Sequence, residues 1–140
     1  MDQNQMSPEE AQQIEQIARD YFMQETGSQE GTESMMGALA ALVQEEGAKL
    51  VHLGNVLFLL LVRGKGVLEM HTIGSEDSAQ KYADDIMQLA AYVRNIGAKL
   101  LYTYTENRAF DRVARLVDLP IVKTQTEIDG KPVFIYALEF

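Results

Sequence analysis

Two side chains near the middle of the chain have the types and spacing of a proton-transfer pair: Glu69 and His71, in the run GVLEMHTIG. On a strand, residues two apart point to the same face, so the carboxylate and the imidazole would stand side by side. Such a pair could act as a general base. It could equally be a polar contact under a loop on an open sheet face. Tyr102 and Tyr104 likewise share a face, with Leu101, Thr103 and Thr105 on the other. Two aromatic rings there either line a ligand cleft or form the surface on which a helix packs. Arg63-Gly64-Lys65-Gly66 superficially resembles a phosphate loop. Phosphate loops precede helices, whereas this run joins two strands, so a plain hairpin turn is expected. His52 has no acidic or histidine neighbour at ligand spacing, and no metal site is expected.

The elements that must position these groups come from one domain's worth of chain. At 140 residues it can bury a core without cross-links, and the absence of cysteine excludes disulfides, thiolate metal sites and a cysteine nucleophile. A formal charge of −9 disfavours nucleic acid, whose binding rests on neutralised phosphates. The longest apolar run, residues 56–62, is far shorter than the roughly 20 residues needed to span a bilayer, so no membrane role is expected. The polar, acidic start MDQNQMSPEE does not read as a signal peptide, and the expectation is a cytoplasmic product.

Residues 1–6 are expected to fray. Ser7-Pro8-Glu9-Glu10 is a helix start, and Ala11, Ile14, Ile17, Ala18, Tyr21 and Phe22 form an apolar stripe ending near Gln24. The stretch ETGSQEGTE (25–33) reads as a flexible loop, followed by a helix over 33–46 with Met35, Leu39, Leu42 and Val43 inward. The period then changes to two, predicting strands at 49–53, 56–62 and 67–73 joined by hairpins. VLFLLLV is apolar on both faces and so belongs in the middle of a sheet covered on both sides. A long helix over 75–96 buries Ala79, Tyr82, Ala83, Ile86, Ala90, Val93 and Ile96. A strand (100–105), a short helix (108–117) and a hairpin of strands (121–127 and 132–140) turning at Asp129-Gly130 complete the order α-α-β-β-β-α-β-α-β-β. The closing strand, PVFIYALEF, is apolar on both faces and must be covered, a subunit neighbour being one way to do it.

That order, with the run from Gly97-Ala98-Lys99 through a strand to Glu106-Asn107 and a helix, resembles the GNAT family of N-acetyltransferases over roughly residues 33–140. The resemblance implies an α/β (α+β) fold, a twisted mixed sheet flanked by helices. It implies one domain over 7–140, to which the N-terminal helix (7–26) could be peripheral. In active members, coenzyme A sits in a splay between two strands, here 67–73 and 100–105. The family's pyrophosphate loop, Gln/Arg-x-x-Gly-x-Gly/Ala, falls on Asp77-Ser78-Ala79-Gln80-Lys81-Tyr82. An aspartate replaces the basic or amide residue, Gln80 and Tyr82 stand at the glycine positions, and Glu76 adds a second acid beside them. Asn107 matches the family's asparagine. Seven residues on, where active members often carry a tyrosine that protonates the leaving thiolate, stands Ala114; the following Gly-Phe pair reads Asp118-Leu119.

These departures are similar to those in small GNAT-fold proteins of tailed bacteriophages, some labelled acetyltransferases on fold alone. The expectation is therefore a non-catalytic GNAT-like protein without a cofactor. It would act through protein contacts, with phage structural proteins or with itself, in a virion or in the host cytoplasm. The alternative is a divergent acetyltransferase that holds acetyl-CoA by other means, with Glu69, His71 or Tyr104 in its site. A third reading is an unrelated α/β binding module with a different strand order.

Overall fold

Ser7 opens the first helix as its sequence predicts. Its side chain accepts a hydrogen bond from the Glu10 amide (3.1 Å), Pro8 sits in the first turn, and α1 runs Pro8–Thr26. The computed structural model describes residues 7–140, so the fraying expected for 1–6 lies outside the described residues. The loop expected at 25–33 is almost entirely helix. Gly27 closes α1 in the left-handed conformation (φ 72), and Ser28 at once caps α2 (Gln29–Glu45), accepting from the Gly31 amide at 2.9 Å. Two back-to-back caps make the turn, and the polar residues around them are simply the exposed ends of two helices. The earlier start also changes the inward set. Thr32 and Leu39 are buried, whereas Met35 and Val43, expected inside, are exposed.

The β elements follow the expected order: β1 (Lys49–Leu53), β2 (Val56–Gly64), β3 (Val67–Gly74), β4 (Leu100–Thr105), β5 (Val122–Ile128) and β6 (Lys131–Glu139), with α3 (Ala79–Asn95) and α4 (Phe110–Leu116) between them. They form one sheet in the order β1-β2-β3-β4-β6-β5. All neighbours are antiparallel except β3 and β4, which run parallel because α3 carries the chain back across the sheet.

β2 explains why the sheet is covered on both sides. Leu57 and Leu59 pack with Ile73 against Ala18, Phe22 and Leu39 of the α1–α2 pair. Val56, Phe58 and Leu60 point the other way, into a core with Leu68, Met70, Ile86, Leu89 and Val93 under α3. Each such fully buried leucine or phenylalanine contributes about 1.5–3 kcal/mol, which holds β2 between the two helical layers. The strand expected in the middle of the sheet lies one place in from the β1 edge, because burial of both faces requires helices above and below and not a central position. α3 begins at Ala79 behind its cap Ser78, four residues later than the periodicity suggests, and Ile96, expected inside, is exposed beyond its end. The closing strand β6 is hydrogen-bonded along both edges, by β4 and β5; on one face Phe134, Tyr136 and Leu138 are buried, while on the other Ile135 and Ala137 are half-buried. The free edge there is β5.

Candidate functional site

The parallel pair β3–β4 stays in register only from Val67↔Leu100 to Glu69↔Tyr102. Beyond that point the strands diverge, and side chains take up the backbone: the Thr103 hydroxyl donates to the Met70 carbonyl at 2.8 Å. A cleft of about 440 Å³ opens at this splay, lined by His71, Thr72, Tyr82, Tyr104, Phe110 and, from the helical layer, Tyr21. On the α3–α4 side the splay is filled by aromatic rings. Phe58 stacks on Tyr82 (6.2 Å between centroids), Phe110 meets Tyr82 edge-on (6.0 Å), and Tyr136 meets Phe110 (4.8 Å). The Tyr82 hydroxyl also bonds to that of Thr72 on β3, tying α3 to the diverging strand.

Glu69 anchors the polar group at the mouth of the splay. It is only 5% exposed and accepts from the Arg63 guanidinium (3.0 and 3.4 Å), the Tyr102 hydroxyl (3.0 Å) and His71 Nε2. Arg63 reaches it because a β-bulge between Val62 and Gly64 leaves residue 63 unpaired. Burial pushes the Glu69 carboxyl up, but the bonds from Arg63, His71 and Tyr102 together outweigh it and hold the group below the usual carboxylate range. A carboxylate so fully engaged is a poor proton acceptor at neutral pH. Its geometric effect is to orient His71, whose ring lies edge-on to Tyr104 (5.6 Å) at the cleft. Burial, followed by the bond to Glu69, raises the Tyr102 phenol, which stays a donor. Sequence spacing thus places Glu69, His71, Tyr102 and Tyr104 together. Tyr104, 44% exposed, is not a helix-packing surface.

The start of α3 is where the resemblance places a pyrophosphate loop. Ser78 Oγ accepts from the Lys81 amide (3.1 Å), and the Ser78 carbonyl takes the Tyr82 amide (3.1 Å) as the first intrahelical bond. A hollow of about 330 Å³ lies beside it, lined in part by Glu76 and Ser78. Glu76 accepts from the Asn55 amide at 3.1 Å and faces Asp85, which is wholly buried and receives the Lys81 ammonium at 3.0 Å. Burial and then Glu76 push the Asp85 carboxyl up to about 6. Asp77 brings the wrong charge, the Gln80 side-chain amide already donates to Asp84 (3.0 Å), the Tyr82 hydroxyl is bonded to Thr72, and residues 75–96 contain no glycine that would let backbone approach a phosphate. The acetyl-CoA that the fold implies does not fit these residues.

Asn107 serves the backbone: its amide donates to Thr105 Oγ1 (3.0 Å) and its side-chain oxygen accepts from the Ala109 amide (2.8 Å), turning the chain into α4. Ala114 offers no proton. The phenol nearest α4 is Tyr136, which bonds to Asp111, itself paired with Lys123 at 2.8 Å. Burial and then Asp111 push Tyr136 up to about 12. His52 Nε2 bonds to the Gly54 carbonyl (2.9 Å), a turn contact. Among the described residues, no group of three or more His, Asp or Glu could hold a metal ion. Sequence reasoning missed Arg63 and Asp85 as partners. Lys81 four residues before Asp85, on the border of the apolar stripe, was the available signal for the second.

A scan against protein-family models finds no match, and neither does a search of curated proteins. Solved structures do match. An aminoglycoside 6'-acetyltransferase type Ii superposes with a TM-score of 0.62 at 15% identity, covering 99% of this chain and 94% of that one. A GNAT family acetyltransferase from Elizabethkingia anophelis, with acetyl-CoA bound, gives 0.54 at 10% identity, covering 100% and 95%. A Bacillus subtilis acetyltransferase in complex with CoA gives 0.51 at 12% identity, covering 98% and 95%. At these identities the likeness establishes the fold alone: this chain has a GNAT-like fold.

Proposed function

We propose that this GNAT-fold chain is not an acetyltransferase of the ordinary kind and acts instead through contacts with other proteins. The observation that carries the reading is the start of α3. Glu76 and Asp77 bring negative charge to the place where the pyrophosphate would sit, and Tyr82 occupies the last glycine position while bonded to Thr72. Ala114 at the acid position points the same way. Calorimetric titration with acetyl-CoA and with CoA tests it: no heat of binding is expected, and clear micromolar binding would overturn it. The finer placement, a structural or host-interaction protein of a tailed bacteriophage, rests on the resemblance alone. Mass spectrometry of purified particles decides between virion and host cytoplasm.

One observation favours a second reading, a divergent acyltransferase. The cleft at the splay is open, and His71 reaches it with Glu69 behind it as an orienting carboxylate. In that reading His71 is the base and Glu69 positions it. Thiol release from a panel of acyl-CoA donors and amines, abolished by His71→Ala, would establish it. No release above the blank excludes it.

A further inference from the structure

β5 is the free end of the sheet, and its sequence is self-complementary when read against itself in the antiparallel sense. All of its residues, Val122–Ile128, are exposed, including Val122 at 60% and Ile128 at 52%. Among the described residues it pairs only with β6. The strand contains no proline, and its pairing with β6 runs without a bulge. About a two-fold axis through Gln125, Lys123 falls opposite Glu127, Thr124 opposite Thr126, and Val122 opposite Ile128. Opposite charges, hydroxyls and apolar side chains therefore each meet their own kind of partner.

The hydrogen-bonding phase agrees with that axis. The turn to β6 has two residues, Asp129 (φ 54) and Gly130 (φ 80), both left-handed, as in a type I′ hairpin. The flanking pair Ile128↔Lys131 is then hydrogen-bonded, and by alternation so are Thr126↔Val133, Thr124↔Ile135 and Val122↔Ala137. The N–H and C=O groups of Lys123, Gln125 and Glu127 consequently point away from β6, toward solvent. A dyad at Gln125 brings these three residues against the same three of a second copy, closing about six backbone hydrogen bonds. Lys123 is held on the α4 side of the sheet by Asp111, so the Lys123–Glu127 pairs form on that side. The Val122–Ile128 contacts form on the other.

We infer that β5 is a homodimer interface, through which two copies join edge to edge about Gln125 into one continuous sheet. The opposite edge does not read this way. In β1, an axis through Val51 sets Lys49 against Leu53 and Leu50 against His52, with no charge or apolar match. The inference is independent of whether the splay cleft is catalytic.

Sedimentation equilibrium over about 1–500 micromolar, with amide exchange followed by NMR, tests it. A reversible monomer–dimer equilibrium is expected, with exchange at Lys123, Gln125 and Glu127 slowing as concentration rises. Thr124 and Thr126 amides, bonded to β6, are protected at every concentration. Glu127→Lys sets like charges opposite each other twice per dimer and should raise the dissociation constant at least about tenfold. Gln125→Pro removes only an outward-facing N–H, which an edge strand tolerates, and should abolish the dimer with an unchanged circular-dichroism spectrum. Should Gln125→Pro fail to fold, the surface substitution Glu127→Lys decides alone. A chain that stays monomeric throughout, or a dimer indifferent to both variants, would overturn the assignment.

Discussion

Replacing Asp85 with asparagine should make the protein more stable at neutral and alkaline pH. Asp85 lies wholly buried on α3; one oxygen takes the Lys81 ammonium, and the other, Oδ2, has no donor among the described residues. Glu76 Oε1 is likewise without a donor. Both carboxyls lie under the β1–β2 turn, where a Cβ built on Gly54 would stand 2.1 Å from Glu76 Oε2 and 3.2 Å from Asp85 Oδ2. Burial, then Glu76, raises Asp85 from 3.8 to about 6. With roughly 1.4 kcal/mol per pKa unit, that shift is an upper bound of about 3 kcal/mol against the ionised form. Glu76 is shifted downward within the same pair, so the net penalty lies below that bound. The sign follows from proton counting. Between about pH 4 and pH 6 the native state binds more protons at Asp85 than the unfolded chain does, so stability falls as pH rises through this window. The penalty is complete above the folded pKa and absent below the unfolded one. An asparagine keeps an oxygen for Lys81 and gives Glu76 an N–H donor, removing the penalty. Urea denaturation at pH 8 should therefore show Asp85→Asn more stable, by less than about 3 kcal/mol, a gain that vanishes by about pH 4. A variant no more stable than the parent at pH 8 would refute the penalty assigned to the buried Asp85 carboxylate beside Glu76.

Glu69→Gln should behave oppositely, costing about 2–3 kcal/mol at pH 7 because Arg63 loses the carboxylate that its guanidinium meets. Since Glu69 is held below the ordinary range, its contribution is present at neutral pH and is lost as pH falls through its folded pKa. Urea titrations of parent and variant should converge in acid. Gly74→Ala should cost about 2–4 kcal/mol by thermal unfolding, since φ is +99 and the new Cβ would meet Ile17 Cγ2 at 2.9 Å and the Asn55 carbonyl at 3.0 Å. Absorbance titration near 295 nm should show one of the six tyrosines ionising near pH 12, and Tyr136→Phe should remove that step.

The sheet was legible because β2 leaves no alternative. Five successive buried residues, Val56 to Leu60, need two covered faces, and the hairpin glycines on either side fix its neighbours. The placement of Glu69, His71 and the two tyrosines on one face followed from strand alternation alone. Arg63 did not, because a bulge breaks that alternation and nothing in Arg-Gly-Lys-Gly distinguishes a bulged hairpin from a regular one. Residues 25–33 were misread for a different reason. Helix caps and loops draw on the same small polar residues, and only the hydrogen bonds of Ser28 and the φ of Gly27 separate them.

The aromatic series explains how a splayed sheet persists where acetyl-CoA does not fit. Parallel strands that diverge leave backbone groups and apolar surface without neighbours, a cost that a bound ligand could offset. Here the chain supplies the neighbours itself. Thr103 donates to the Met70 carbonyl, Tyr82 bonds to Thr72, and Phe58, Tyr82, Phe110 and Tyr136 fill the gap from the α3–α4 side. Each of those rings has a packing role that does not depend on a ligand. A glycine at position 82 would open a path for phosphate but leave Phe58 and Phe110 without the ring between them. Tyr82, which stands where the family's loop would carry its last glycine, is therefore also the residue that holds the splay together.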